Sequence, residues 1–284
     1  MINNFSSKKI QEDLLFLTNN KFTIKYIDKT IKNIFEIIIN SKKKKFIISG
    51  PQGCGKTTLI KLINNNFKEF YNIDPLCLSL DDYYLTKNQR KKLSNNISPL
   101  LSTRGVPGTH DIDKINKTLE SFNKNQYPIY VPIFDKLNDD RKKFKKKIVS
   151  KKNLVFLEGW CCGSAPVPVR LLNKNINKIE IIDKNLSWRN YYNNKLNREY
   201  SELFDKFNYL IYFNIKNFNY VFDWKLKQER KLAKFSKINI NKKNIKNFVY
   251  YYEKITRWMI QDVPKRANLI ININKNQYIN SLKD

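Results

Sequence analysis

Residues 50–58 read Gly50-Pro51-Gln52-Gly53-Cys54-Gly55-Lys56-Thr57-Thr58. Every position required of a phosphate-binding loop is filled. The context agrees: the apolar run Phe46-Ile47-Ile48 precedes the loop, and residues 56–67 follow with Leu59, Leu62, Ile63 and Phe67 at helical spacing. Glycines let a backbone wrap phosphates closely. The N-terminus of the following helix offers N–H donors and a favourable dipole to an anion. In such a loop Lys56 bridges the β- and γ-phosphates of a nucleotide and Thr57 ligates Mg²⁺. The stretch therefore predicts a site for ATP and Mg²⁺, with residues 50–58 as the nucleotide contacts.

Outward from the loop, further short apolar runs lie at 76–80, 154–157, 209–215 and 269–273. Such runs, alternating with helical patterns, predict a parallel sheet covered on both faces. The expected fold is α/β: a P-loop NTPase three-layer sandwich with a five-stranded parallel core sheet and helices on both faces. Residues 1–43 form an N-terminal helical segment, since Ile24, Ile27, Ile31, Ile34, Phe35 and Ile38 share one helix face. Residues 83–150 lack a sustained period apart from a helix near 111–123, and read as an inserted, substrate-facing region. Residues 248–260 are aromatic at helical spacing, which suits a core-facing helix better than a platform for bases. No repeat or long linker divides the 284 residues, so a single domain is expected.

In open α/β sheets ligands sit beyond the carboxyl ends of the strands, and the runs before 50, 81 and 158 all end at polar or Gly-rich motifs. After the second run comes Leu80-Asp81-Asp82-Tyr83-Tyr84. A carboxylate here suits a base that takes the proton of an acceptor hydroxyl, and Asp81 is the candidate, acting with Lys56. Asp82 and Tyr83 are candidate substrate contacts; the alternative is a pair of caps or turn residues. Arg104-Gly105-Val106-Pro107-Gly108-Thr109-His110-Asp111 holds the chain's one histidine. Arg104 can grip a carboxylate or phosphate bidentately. His110 is grouped with it, and Asp111 either contacts substrate or caps the helix that follows. Phe134-Asp135-Lys136 and Asp139-Asp140-Arg141 offer Asp135 and Arg141 as further contacts, or a charged surface loop. Leu157-Glu158-Gly159-Trp160 places a carboxylate where it can hold Mg²⁺ through water, together with Thr57, or position the nucleophile. All seven glycines fall in the phosphate loop, the 104–111 segment or the 157–163 segment, so backbone freedom is reserved for these three places. A basic helix over 224–235, with Lys225, Lys227, Arg230 and Lys231, reads as a lid spanning 224–240 with Arg230 as its nucleotide contact. The alternative is a solvated face.

The net charge of +29 invites a nucleic-acid reading. Only nine of the basic residues are Arg and 45 are Lys, spread evenly through the chain. Nucleic-acid readers concentrate charge on one face and use Arg at base edges. The excess therefore reads as compositional bias and solvated surface, able to steer anionic substrates towards the cleft. No nucleic acid is expected as a partner; a small-molecule hydroxyl acceptor is. The four cysteines show no metal spacing and read as reduced thiols. Residues 1–17 lack a signal pattern, and the apolar run at 34–39 is too short to span a membrane. A soluble cytoplasmic protein without a membrane partner is expected; oligomeric state is not legible.

Taken together these motifs resemble the D-glycerate 3-kinase family, which belongs with pantothenate kinase, uridine kinase and phosphoribulokinase. The resemblance covers residues 44–170 well and the C-terminal third loosely. It implies transfer of phosphate from ATP to the 3-hydroxyl of D-glycerate, giving 3-phosphoglycerate. It further implies Asp81 as base, Arg104 and His110 lining the acceptor site, and Glu158 supporting the metal. The short gap from Asp135 to Arg141 and the sequence Cys161-Cys162-Gly163 look more like the bacterial branch. Rival readings are the same chemistry on pantothenate or a nucleoside, a nucleic-acid-bound P-loop ATPase, and a regulatory nucleotide-binding module. The lack of a helicase-like or GTPase-like second motif counts against the ATPase, and Asp81 with Glu158 against the module.

Overall fold

The computed structural model describes residues 4–236 and 241–284. Helix α1 (Asn4–Thr18) is followed by α2 (Ile24–Ile27), which runs through a π-helical turn (Asp28–Lys32) into α3 (Asn33–Asn40). Then come β1 (Lys45–Ser49), α4 (Lys56–Tyr71), β2 (Pro75–Ser79) and a 3₁₀ turn (Leu80–Tyr83). The 83–150 region contains α5 (Lys87–Asn96), α6 (Ile112–Asn123), β3 (Ile129–Val131), β4 (Phe134–Asp135), β5 (Asp140–Arg141) and β6 (Lys146–Ile148). After β7 (Leu154–Gly159) follow α7 (Val169–Leu172), α8 (Lys178–Ile182), α9 (Ser187–Lys195) and α10 (Ser201–Phe204). The chain ends with β8 (Tyr209–Ile215), α11 (Asn219–Ser236), α12 (Lys242–Asp262), β9 (Leu269–Ile273) and β10 (Ile279–Lys283).

The main sheet has the order β10-β9-β8-β1-β7-β2. Its five expected strands are mutually parallel. A sixth, β10, adds antiparallel at the β9 edge, a correction to the five-stranded expectation. It carries only Ile279 and Leu282 among polar residues, too thin an apolar pattern to read as a strand.

The strands are apolar on both faces because both are covered. Phe46, Ile48, Phe156 and Ile211 point to a core closed by α1, α3 and α4 through Leu14, Phe35, Leu62 and Phe67. Ile47, Val155, Leu157 and Tyr212 point to the opposite core, closed by α6, α9 and α12 through Leu119, Trp188 and Met259. The inserted region has no long period because its strands pair over only two or three residues, β3 with β6 and β4 with β5. All these connections deliver the carboxyl ends of β1, β2 and β7 to one edge, where the sequence motifs meet.

Candidate active site

The phosphate loop leaves β1 and enters α4 through Gly55, which is left-handed at φ 110°. Gly53 is also left-handed, at φ 79°, and a Cβ there would stand 2.8 Å from the Cβ of Trp224 on α11. The side chain of Lys56 is buried and folds back, donating from Nζ to the carbonyls of Gly50 (2.8 Å) and Pro51 (2.9 Å), with the Cys54 sulfur at 3.8 Å. A cavity of about 360 Å³ adjoins the loop. Residues 53–59 form its floor, Trp224, Lys227, Gln228, Asn276 and Gln277 one side, and Leu14, Leu17, Phe22 and Tyr26 an apolar wall. The Gln52 amide nitrogen and oxygen are both shielded from solvent and have no partner among the described residues. A buried unpaired amide is costly, so this side chain is set up for a ligand to satisfy.

Beside the loop, Thr57 donates from Oγ1 to Glu158 Oε1 at 3.3 Å, and Ser79 Oγ donates to the same oxygen at 2.8 Å. Parallel pairing of β7 with both β1 and β2 sets this arrangement, placing Glu158 level with Ile48 and Ser79. Burial raises the Glu158 pKa, and the charge of Lys56 opposes that rise. Among the described residues no group of three His, Cys, Asp or Glu side chains could hold a metal by itself. The hydroxyl and carboxylate here are instead a hard-oxygen pair, the donor set that suits Mg²⁺ completed by water and phosphate oxygens.

Asp81 follows β2. Burial alone would raise its pKa, but Lys136 Nζ at 2.6 Å and the Tyr84 hydroxyl, donating at 2.9 Å, bring it down to about 2. Asp81 is thus ionised at neutral pH. The 3₁₀ turn explains which neighbours join it. Residues three apart lie on one side of such a turn, so Asp81 meets Tyr84 while Leu80 and Tyr83 both enter the core. Tyr83 is fully buried and bonds Thr118 at 3.0 Å, and so does not serve as the substrate contact expected of it. Asp82 also turns away, accepting the Phe134 N–H at 3.2 Å and lining a separate small cavity with Lys146 and Lys152.

His110 is buried, stacked on Tyr84 with ring centroids 4.5 Å apart, and its Nδ1 lies 2.6 Å from the Tyr200 hydroxyl. That hydroxyl also accepts the Gly108 N–H at 2.9 Å. Desolvation lowers the His110 pKa to about 3, so the ring is neutral and cannot hold an anion by charge. Arg104 bonds Asp139 and packs over the Phe134 ring at 5.4 Å. Its own carbonyl accepts the Tyr252 hydroxyl at 3.0 Å, and a Cβ on Gly105 would collide with that hydroxyl at 2.1 Å.

Three other candidates hold the scaffold. Asp111 caps α6 and pairs with Arg141 at 3.0 Å, so its helix-cap alternative is the one that describes it. Arg141 also donates to the carbonyls of Tyr84 (2.6 Å) and Tyr83 (3.2 Å), tying the Asp81–Tyr84 turn to β5 rather than facing a ligand. Asp135 is consumed by its own turn through Leu137 and Asn138. On α11, Arg230 is exposed, whereas Lys227 and Gln228 line the cavity by the phosphate loop. The Lys231 side chain and residues 237–240 of the expected lid lie outside the described residues. Lys136, Asp139, Tyr84 and Ser79 join the site without having been singled out. Tyr84 lies in the Leu80–Tyr84 stretch and Lys136 and Asp139 in the charged segments at 134–136 and 139–141, which carried the sequence signal for them; Ser79 had none.

A family described as the KAP family P-loop domain matches residues 27–206. The chain belongs to this P-loop family. Its relatives are kinases, and the chain is an ATP-dependent P-loop kinase. It is 29% identical over 290 residues to a protein of Saccharomyces cerevisiae named "Probable ATP-dependent kinase TDA10", covering 92% of this chain and 95% of that one. It is 27% identical over 216 residues to the chloroplastic D-glycerate 3-kinase of Arabidopsis thaliana, covering 72% of this chain and 45% of the relative. The solved structure of a D-glycerate 3-kinase from Cryptococcus neoformans superposes on the kinase with a TM-score of 0.75 at 22% identity, covering 90% of this chain and 98% of that one, a likeness of fold. These relatives are a yeast, a plant and a further fungal protein, and they lend no support to the bacterial-branch resemblance. Among the described residues no helix is long and apolar enough to cross a membrane.

Proposed function

We propose that this kinase transfers the γ-phosphoryl group of ATP, bound with Mg²⁺, to the 3-hydroxyl of D-glycerate. The observation that carries the proposal is the ionised Asp81, at the carboxyl end of β2 and within one hydrogen bond of both Lys136 and Tyr84. A carboxylate base next to a phosphate loop suits a hydroxyl acceptor. The cations around it suit an acceptor that carries its own negative charge. The similarity to the Arabidopsis D-glycerate 3-kinase supports the same acceptor.

In this reading Asp81 takes the proton of the 3-hydroxyl as its oxygen bonds the γ-phosphorus. The bond from that phosphorus to the β–γ bridging oxygen breaks, and ADP leaves. Lys56 exchanges its two loop carbonyls for phosphate oxygens, Thr57 and Glu158 would hold Mg²⁺, and the nucleotide offers a partner to the Gln52 amide. Mg²⁺ would supply charge neutralisation across the phosphates. The test is ADP release over a panel of D-glycerate, pantothenate, uridine and ribulose 5-phosphate. D-glycerate should stimulate turnover most; stimulation only by another member would replace the acceptor, and by none would remove the proposal.

A further inference from the structure

Arg90 is the least expected member of the site's surroundings. It sits on α5, whose only apolar residue is Leu93, yet its side chain is 1% exposed. Every nitrogen of its guanidinium donates. Nε donates to the Ser102 carbonyl at 3.2 Å, Nη1 to Leu85 at 2.9 Å, and Nη2 to the Asp139 carbonyl at 2.9 Å and to Asp139 Oδ2 at 2.6 Å. The other oxygen of that carboxylate, Oδ1, takes Arg104 Nη1. Asp139 is held for this in a left-handed backbone at φ 53°, uncommon for a residue with a Cβ. The Phe134 ring packs against both guanidiniums, 5.7 Å from Arg90 and 5.4 Å from Arg104.

The same turn reaches the base from its other end. Lys136 gives its ammonium to Asp81, and its carbonyl lies 3.5 Å from Arg104 Nη2. Three cations, Arg90, Arg104 and Lys136, thus gather on the two carboxylates Asp81 and Asp139. Arg90 is sealed off, so the charge an acceptor can reach is that of Arg104 and Lys136, whose side chains are 22% and 60% exposed.

We propose that Arg90 and Asp139 are positioning residues that fix Arg104 beside the base, so that the site selects an acceptor bearing a negative charge. Buried Arg90 anchors Asp139, and Asp139 holds Arg104 through Nη1. The proposal rests on the kinase reading, and deepens it by naming the residues behind the substrate class.

The experiment compares D-glycerate with glycerol, which keeps the hydroxyls and lacks the carboxylate, in the wild type, Asp139→Asn and Arg104→Met, with circular dichroism confirming the fold of each. Asp139→Asn keeps the shape that bonds Arg90 and removes the charge. It should raise the KM for D-glycerate about tenfold, the scale of a lost charge-assisted hydrogen bond, while the KM for ATP and the rates with glycerol stay within twofold. Arg104→Met should narrow the preference for D-glycerate further. A preference unchanged in Asp139→Asn, or equal losses for ATP and both acceptors, overturns the positioning role while leaving the kinase and its acceptor intact. Should the wild type prefer pantothenate to D-glycerate, the acceptor assignment fails, and the positioning role is judged on pantothenate against its uncharged alcohol by the same criteria. A wild type that prefers glycerol to D-glycerate and the alcohol to pantothenate overturns the anion selection.

Discussion

His110 gives a stability test that no other residue can confuse, because it is the one histidine in the chain. In the folded protein its pKa is lowered to about 3 by burial. In the unfolded chain it titrates at about 6.5. Below that value the unfolded state binds a proton the folded state refuses, so the contribution is fully present above pH 6.5 and is lost as pH falls towards 3. From pH 7 to pH 5 the loss works out at about 2 kcal/mol, since the unfolded imidazole becomes almost wholly protonated while the folded one stays neutral. Buried Glu158 and Glu180, whose pKa values are raised by desolvation, push in the opposite sense. They are common to the wild type and His110→Asn, and cancel in the difference. Asn keeps an amide that can pair with the Tyr200 hydroxyl as donor or acceptor. Denaturant unfolding at pH 7, 6 and 5 should show the wild type losing about 2 kcal/mol more than His110→Asn across that range. Parallel pH dependence in the two proteins would refute the buried, neutral histidine.

Three further outcomes follow from the site. Lys136→Met removes the ammonium that does most to hold Asp81 near 2 and leaves the Tyr84 hydroxyl to oppose burial; because the Asp81 side chain is 33% exposed the full shift is discounted, and the acid limb of kcat/KM should rise by roughly one unit. An acid limb unmoved in that variant would remove Lys136 as the cause. Lys56→Ala should abolish turnover while the far-ultraviolet circular dichroism is retained, because the side chain bonds only to its own loop; wild-type turnover would refute its role at the phosphates. Glu158→Gln should raise the Mg²⁺ concentration for half-maximal rate by about tenfold or more, measured by titrating the metal at fixed ATP, and an unchanged requirement would move the metal elsewhere.

The layers of this fold were legible because parallel strands buried on both faces must be continuous apolar runs, and 46–48, 154–157, 209–215 and 269–273 are. The phosphate loop was legible because its chemistry is carried by backbone, and only glycine supplies that backbone. The acceptor side was legible in its motifs but not in its members. Asp81-Asp82 and Tyr83-Tyr84 are paired duplicates, and a strand-like reading would send alternate residues to one face. The chain instead leaves β2 through a 3₁₀ turn, whose period of three pairs Asp81 with Tyr84 and sends Asp82 and Tyr83 elsewhere. The charged residues misled for a related reason. Arg141 and Asp111 have the residue types of a ligand site but spend their hydrogen bonds on the carbonyls of Tyr83 and Tyr84 and on the cap of α6. Arg90, from a stretch with no sustained period, and Asp139, from a segment whose alternative reading was a charged surface loop, are the ones joined to Arg104. Sequence spacing orders residues along the chain, while the identity of a charge's partner is set by what the fold has already buried. Burial of Arg90, invisible in a run of lysines and asparagines, is what turns an acidic loop residue into part of the site.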